Sequence, residues 1–118
     1  MKLNPWFVTG FTDADGSFSF TPRRDSTSSL GWRVQLKFSI GVLNNLANRE
    51  FVDNLVSFFG GGRVYLDGNQ LYYRVSDLKT LLRVRDHFLL YPLQSTKLIY
   101  FQLWVMVLDM MVTKEHKT

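Results

Sequence analysis

Nine consecutive residues, from Trp32 to Ile40, alternate between apolar and polar without a break: Trp32, Val34, Leu36, Phe38 and Ile40 against Arg33, Gln35, Lys37 and Ser39. Successive side chains of a strand point to opposite faces, so this pattern dictates a β-strand with one side buried and the other in water. A fold built on it needs a sheet with a single apolar face and something to cover that face.

The neighbouring segments supply both. Gly16 to Arg24 also alternates, with Phe18 and Phe20 on one side and Ser17, Ser19, Thr21 and Arg23 on the other, and the polar stretch from Arg24 to Gly31 reads as the connecting turn. A second hairpin is predicted from Arg63 to Leu66 and Leu71 to Ser76, around Asp67-Gly68-Asn69. Helical periodicity fills the rest. Asn4-Pro5 is a capping side chain followed by a first-turn proline, and it opens a helix to about Ala14. Gly16 is expected in the left-handed conformation at that helix's end. After Asn44-Asn45, the residues Leu46, Phe51, Val52, Leu55, Val56, Phe58 and Phe59 form a helical stripe ended by Gly60-Gly61-Gly62. Asp77 caps a helix carrying Leu78, Leu81, Leu82, Phe88 and Leu89, Tyr91-Pro92 stops it, and Ser95 or Thr96 opens a last helix. The order is α-β-β-α-β-β-α-α. It predicts an α+β fold with a four-stranded antiparallel sheet, helices on one face and polar side chains on the other.

At 118 residues and 46% hydrophobic, the chain is expected to form one domain over residues 1–118. It has no cysteine, which excludes a disulfide scaffold, a thiolate zinc site and a thiol nucleophile. No secretory signal is expected, and the longest apolar run, Leu98 to Val112, is interrupted by Gln102 and Asp109 and falls short of the roughly 20 residues needed to cross a bilayer. It reads as a buried or partner-facing helix, with Trp104, Met106, Met110 and Met111 as core plus interface, and no membrane partner is expected. Fourteen Lys and Arg against ten Asp and Glu give a formal charge of +4, which favours a polyanionic partner.

Three charges stand against the helix dipoles. Asp13 and Asp15 lie at the carboxyl end of the first helix, and Lys97 lies in the first turn of the last one, where a cation is disfavoured. A divalent cation and a phosphate between them would reconcile both placements; ordinary solvated charges are the alternative. His87 and His116 form no recognisable metal pair, and His87 is expected at a core edge.

At these residues the chain resembles a known family. Val8-Thr9-Gly10-Phe11-Thr12-Asp13-Ala14-Asp15-Gly16 resembles the nine-residue signature of the LAGLIDADG homing endonucleases, matching at Gly10, Asp13, Ala14, Asp15 and Gly16. Asn4-Pro5-Trp6 before the motif, Gly16-Ser17-Phe18 after it, and Tyr91-Pro92-Leu93 followed by Lys97 are similar to the fungal organellar branch, and the element order fits that family's half-unit over nearly the whole chain. The resemblance implies a site-specific double-strand DNA endonuclease of mitochondrial, intron-encoded origin.

It also implies roles for particular residues. Signature helices of two units pack at a two-fold or pseudo-two-fold axis, with Gly10, Asp13 and Ala14 at the interface; Gly10 and Ala14 share one helix face and allow close approach. Asp15 is the implied metal ligand and catalytic carboxylate, assisted by the backbone carbonyl of Ala14. The implied ion is Mg²⁺, with Ca²⁺ or Mn²⁺ able to substitute in binding. Lys97 lies where the family carries a basic catalytic residue. Val42, in Gly41-Val42-Leu43-Asn44, occupies a place where polarity is expected, so the water-organising residue stays unassigned.

The polar sheet face is the expected reader of double-stranded DNA: Ser17, Ser19, Thr21 and Arg23; Arg33, Gln35, Lys37 and Ser39; Arg63, Tyr65, Asp67, Tyr72 and Arg74. Five of these thirteen are cationic and one is acidic. One motif implies half a site, so the partner is either a second copy in a homodimer or a missing carboxyl-terminal half. An intron-splicing maturase that binds RNA and a noncatalytic DNA-binding half-domain are the rival readings.

Overall fold

A computed structural model describes residues 3–27 and 31–116 of the chain; the side chains of Trp32 and of 114–116, His116 among them, lie outside the described residues. The order is α1 (Pro5–Asp15), β1 (Gly16–Arg24), β2 (Trp32–Leu43), α2 (Leu46–Phe59), β3 (Arg63–Asp67), β4 (Gln70–Val75), α3 (Leu78–Leu90) and α4 (Lys97–His116). The eight elements follow the order expected from the sequence. The strands form one antiparallel sheet in the order β1-β2-β4-β3, so the two hairpins meet at β2 and β4.

Local chemistry sets most boundaries. The Asn4 side chain accepts from the amides of Trp6 and Phe7, with Pro5 behind it. Asn45 caps α2 by accepting from Asn48, and Asp77 caps α3 by accepting from the amide and hydroxyl of Thr80. Gly60 ends α2 with φ of 74°, the left-handed cap that glycine adopts without a Cβ penalty. Gly16 does not play that part. Its backbone is extended, at φ −86° and ψ 162°, and it begins β1. Glycine is needed there for space: a Cβ would lie 2.8 Å from the Thr12 carbonyl oxygen and closer still to Thr12 Cγ2.

All four helices supply side chains to one core, around Phe38 on the covered face of β2. Its ring meets those of Phe18, Phe59, Tyr73 and Phe88 with centroids 5.2 to 6.4 Å apart, tilted or edge-on as aromatic quadrupoles prefer. From α4, Phe101, Trp104 and Leu108 are buried, and the Trp104 indole N–H donates to the Ser19 carbonyl at 3.2 Å, tying α4 to the edge strand. Met106 and Met110 stay exposed, so α4 is core along one side only. No helix among the described residues is long and apolar enough to cross a membrane.

Three apolar positions depart from their expected faces. Phe20 shares parity with Phe18 but is half exposed, in the stretch of the edge strand that is exposed from Phe20 to Arg24. Leu46, at the first residue of α2, is 87% exposed, since the stripe that reaches the sheet begins a turn later at Phe51. Leu89 is exposed, and Val84 and His87 carry the buried face of α3 in its place. Val42 is buried, so its side chain belongs to the core and not to the polar face.

Candidate nucleic-acid interface and catalytic end

The register of the sheet decides which side chains share a face. Across β1 and β2, Ser17 pairs with Ser39, Ser19 with Lys37, Thr21 with Gln35 and Arg23 with Arg33. Ser39 in turn faces Arg74 on β4, Arg74 faces Arg63 on β3, Tyr72 faces Tyr65, and Asp67 faces Gln70. Directly opposed residues of antiparallel strands project to the same side, so all thirteen residues expected to read DNA lie on one face. Three more join them: Gly41 opposite Tyr72, and Leu43 opposite Gln70. Parity from Ser39 would have found Gly41 and Leu43, but β2 runs three residues past the alternating segment, and Gln70 lies hidden beside the turn.

This face is basic and open. Arg23, Arg33, Arg63 and Arg74 are exposed, and Lys37 is partly so. The Arg23 Nε donates to Gln35 Oε1 at 2.8 Å, which fixes two of the long side chains against each other. The Tyr65 and Tyr72 rings stack with centroids 5.3 Å apart, and the Arg74 guanidinium sits 4.7 Å from the Tyr65 centroid.

Where α1 ends and β1 begins lie the three charges that oppose the helix dipoles. The protein compensates two of them internally. The Asp13 carboxylate accepts from the amide of Gln94 at 2.9 Å, from the amide of Ser95 at 3.1 Å and from the Ser95 hydroxyl at 2.5 Å. Partial burial pushes its pKa up, but these hydrogen bonds and the nearby Lys97 charge outweigh it and hold the carboxyl below its ordinary value. Ser95 Oγ accepts from the Lys97 amide at the start of α4. The Lys97 ammonium donates to the Asp13 backbone carbonyl at 2.8 Å, placing a cation on the negative end of α1. Solvated charge is therefore the wrong description of both.

Asp15 is different. It is exposed, and its carboxylate makes no hydrogen bond or ion pair with any described residue. It is also the last residue of α1, directly before the strand that begins the basic face. No group of three potential metal-ligating side chains converges among the described residues. The donor chemistry fits an oxygen-liganded divalent cation only as a fraction of a shell: one exposed carboxylate and the adjoining backbone carbonyls at a helix carboxyl terminus.

The outward side of α1 is largely uncovered, although the Trp6 ring meets Tyr91 and the Phe7 ring meets Phe51, both edge-on. Gly10 and Ala14 are exposed, a Cβ at Gly10 would have nothing within 4 Å, and Trp6 and Phe7 are each about half exposed. The opposite side is held by Val8, Thr9 and Thr12, all buried. The Thr9 hydroxyl donates to the Tyr91 carbonyl at 2.8 Å and so must accept from His87 Nε2 at 3.1 Å, which fixes the proton on that nitrogen. His87 is buried rather than at a core edge, stacked on Tyr91 and edge-on to Phe58, Phe59 and Phe88, and burial pushes its pKa down to about 4.

Residues 8–108 match the family model described as LAGLIDADG endonuclease. Over 121 residues the chain is 30% identical to the probable intron-encoded endonuclease 3 of Neurospora crassa, covering 100% of this chain and 22% of that protein. It is 31% identical over 117 residues to an uncharacterized 50.9 kDa protein in ND4 intron 1 of Podospora anserina, covering 98% and 26%. The chain thus spans about a quarter of the length of these curated relatives. Among solved structures it is similar to the homing endonuclease I-TnaI, with TM-score 0.90 and 29% identity over 100% of this chain and 80% of that one. It is also similar to the LAGLIDADG meganuclease I-CpaMI bound to uncleaved DNA, with TM-score 0.85 and 34% identity over 99% and 41%.

Proposed function

The chain belongs to the LAGLIDADG endonuclease family, and on that premise we propose that it is one unit of a site-specific double-strand DNA endonuclease whose second unit docks along α1. The observation that carries the reading is a juxtaposition: the unpartnered Asp15 carboxylate is the residue immediately before a sheet face on which the register gathers five cations. A duplex lying on that face brings a backbone phosphate to the helix end.

Each part of the site then has work to do. Gly10 and Ala14, exposed and one turn apart, let a second α1 approach closely, and Trp6 and Phe7 extend the apolar contact. Two Asp15 carboxylates brought together repel each other, and with the Ala14 carbonyls they form an oxygen-rich pair of half-shells suited to Mg²⁺, or to Mn²⁺ or Ca²⁺ in binding. Such a bound ion would lower the pKa of water and neutralise phosphate charge. Lys97 keeps two ammonium N–H donors beyond the one on the Asp13 carbonyl, and we assign them to the charge that develops on the phosphate. Asp13 keeps α1 and the start of α4 in register rather than touching substrate. The likeness to a protein in an ND4 intron supports an intron-encoded, mitochondrial origin.

The test is direct. With a randomised duplex library and Mg²⁺, the wild-type protein should cut selected sequences, and Asp15→Asn should bind them equally well without cutting. Cutting by Asp15→Asn at the wild-type rate overturns the catalytic assignment; Mg²⁺-indifferent binding without cutting by either protein favours a noncatalytic module, and preference for structured RNA over duplex DNA favours a maturase. Light scattering should give twice 13.8 kDa if two copies complete the site.

A further inference from the structure

One cation of the sheet face is held unlike the others. Gly41 lies opposite Tyr72, and a Cβ at position 41 would come within 2.8 Å of Tyr72 Cε1 and 3.1 Å of Cδ1, so the ring rests against bare backbone. The Tyr65 ring stacks on Tyr72 at 5.3 Å and 19°, and the Arg74 guanidinium lies over Tyr65 at 4.7 Å. Arg74 is the diagonal neighbour of Tyr65 across the β3–β4 ladder. The layers therefore run from Gly41 through Tyr72 and Tyr65 to Arg74.

Arg74 is exposed, and among the described residues its guanidinium has no hydrogen bond and no carboxylate partner. Arg23, by contrast, already donates to Gln35. Arg74 thus combines a restricted side chain with a full set of unpartnered donors. A planar guanidinium fork matches the O6 and N7 acceptors of guanine in the major groove, and holding it in place beforehand removes much of the rotamer entropy that binding would otherwise cost.

Resting on the DNA-endonuclease reading above, we propose that Arg74 is a specificity-determining residue that recognises a guanine edge, with Tyr65 and Tyr72 as its positioning residues, seated by the missing side chain at Gly41. A larger residue at position 41 lifts Tyr72 and disorders the layers above it. A phosphate-binding arginine needs no such support, because a phosphate accepts from many directions.

The experiment selects a preferred duplex from a randomised library with the wild-type protein. Affinity is then measured at one salt concentration for that duplex and for each single base-pair replacement. Arg74→Lys and Tyr65→Leu should each weaken the preferred duplex roughly tenfold and erase preference at the same G·C pair, leaving other positions as they were. The double variant should be no worse than Arg74→Lys alone, since both remove one contact. Tyr65→Phe keeps the ring face and should keep the preference. Gly41→Ala, checked for an unchanged far-ultraviolet spectrum, should resemble Tyr65→Leu.

Uniform weakening of all sequences by Arg74→Lys, with a shallower salt dependence, identifies a phosphate contact and overturns the proposal. Preference retained in Tyr65→Leu but lost in Arg74→Lys overturns the positioning role. A wild-type protein that selects no sequence at all refutes the nuclease reading and this proposal together, whereas selection unchanged by Arg74→Lys refutes this proposal alone.

Discussion

Replacing Asp13 tests how the catalytic end is built. Its carboxylate accepts three hydrogen bonds, from the Gln94 and Ser95 amides and the Ser95 hydroxyl, across more than 80 residues of chain. Bonds to a charged group are worth about 1.5–3 kcal/mol each when shielded, but these face solvent, and water replaces part of what is lost, so about 0.7 kcal/mol apiece is the better figure. Asp13→Ala should therefore cost about 2 kcal/mol, and Asp13→Asn about 1 kcal/mol, since one amide oxygen keeps part of the set. For a chain of this size these correspond to a fall in melting temperature of roughly 8 °C and 4 °C. Urea unfolding followed by tryptophan fluorescence would measure both. The pH dependence is a second check. A carboxyl whose folded pKa lies below the ordinary 3.8 stabilises the protein fully above that value, and loses the contribution as pH falls through the folded pKa. The wild-type and Asp13→Asn stabilities should accordingly converge in acid. An Asp13→Ala variant within about 0.5 kcal/mol of wild type near neutral pH would refute the argument, because changes away from such contacts fall in that range.

His87, with its pKa pushed down from 6.5 to about 4, binds a proton more readily in the unfolded chain, so stability should fall as pH drops from 6.5 toward 4, by about 1.4 kcal/mol per unit. Urea midpoints between pH 7 and 5 should show that slope, and His87→Gln should flatten it. Gly16→Ala should destabilise by about 1–3 kcal/mol through the clash with Thr12, and Thr12→Ser, which removes Cγ2, should restore part of the loss in thermal melts. Lys37→Ala should weaken duplex binding, and titration across salt concentrations assigns the contact: a base contact relaxes sequence preference, while a phosphate contact lowers the salt slope by about one.

The sheet was legible because alternation carries its own parity. Once Trp32 to Ile40 fix which side is wet, pairing places every polar residue of the other strands, and all thirteen expected positions share the face. The signature at Gly10, Asp13, Ala14, Asp15 and Gly16 likewise led to the family. Long-range complements were not legible. Nothing near Asp13 announces that the amides it needs are at Gln94 and Ser95, and nothing near Lys97 announces the carbonyl it caps, so the sequence alone does not separate these internally balanced charges from the unpartnered Asp15. Exposure at element ends is likewise not legible from the local pattern. Leu46, Leu89 and Phe20 satisfy the local period, but burial depends on what the fold packs over each position. Gly16 met a rule about helix ends that yields when a strand follows at once.

The bonds between Asp13, Ser95 and Lys97 also set an order of events. Six elements separate α1 from α4, so the amides that hold Asp13 and the lysine that caps its helix are made only after all six. Contacts so distant along the chain form late in folding. A nascent or truncated chain lacking α4 would thus display the acidic helix end before its supports exist. A unit organised this way finishes the end of its first helix only once the start of its last helix has been made.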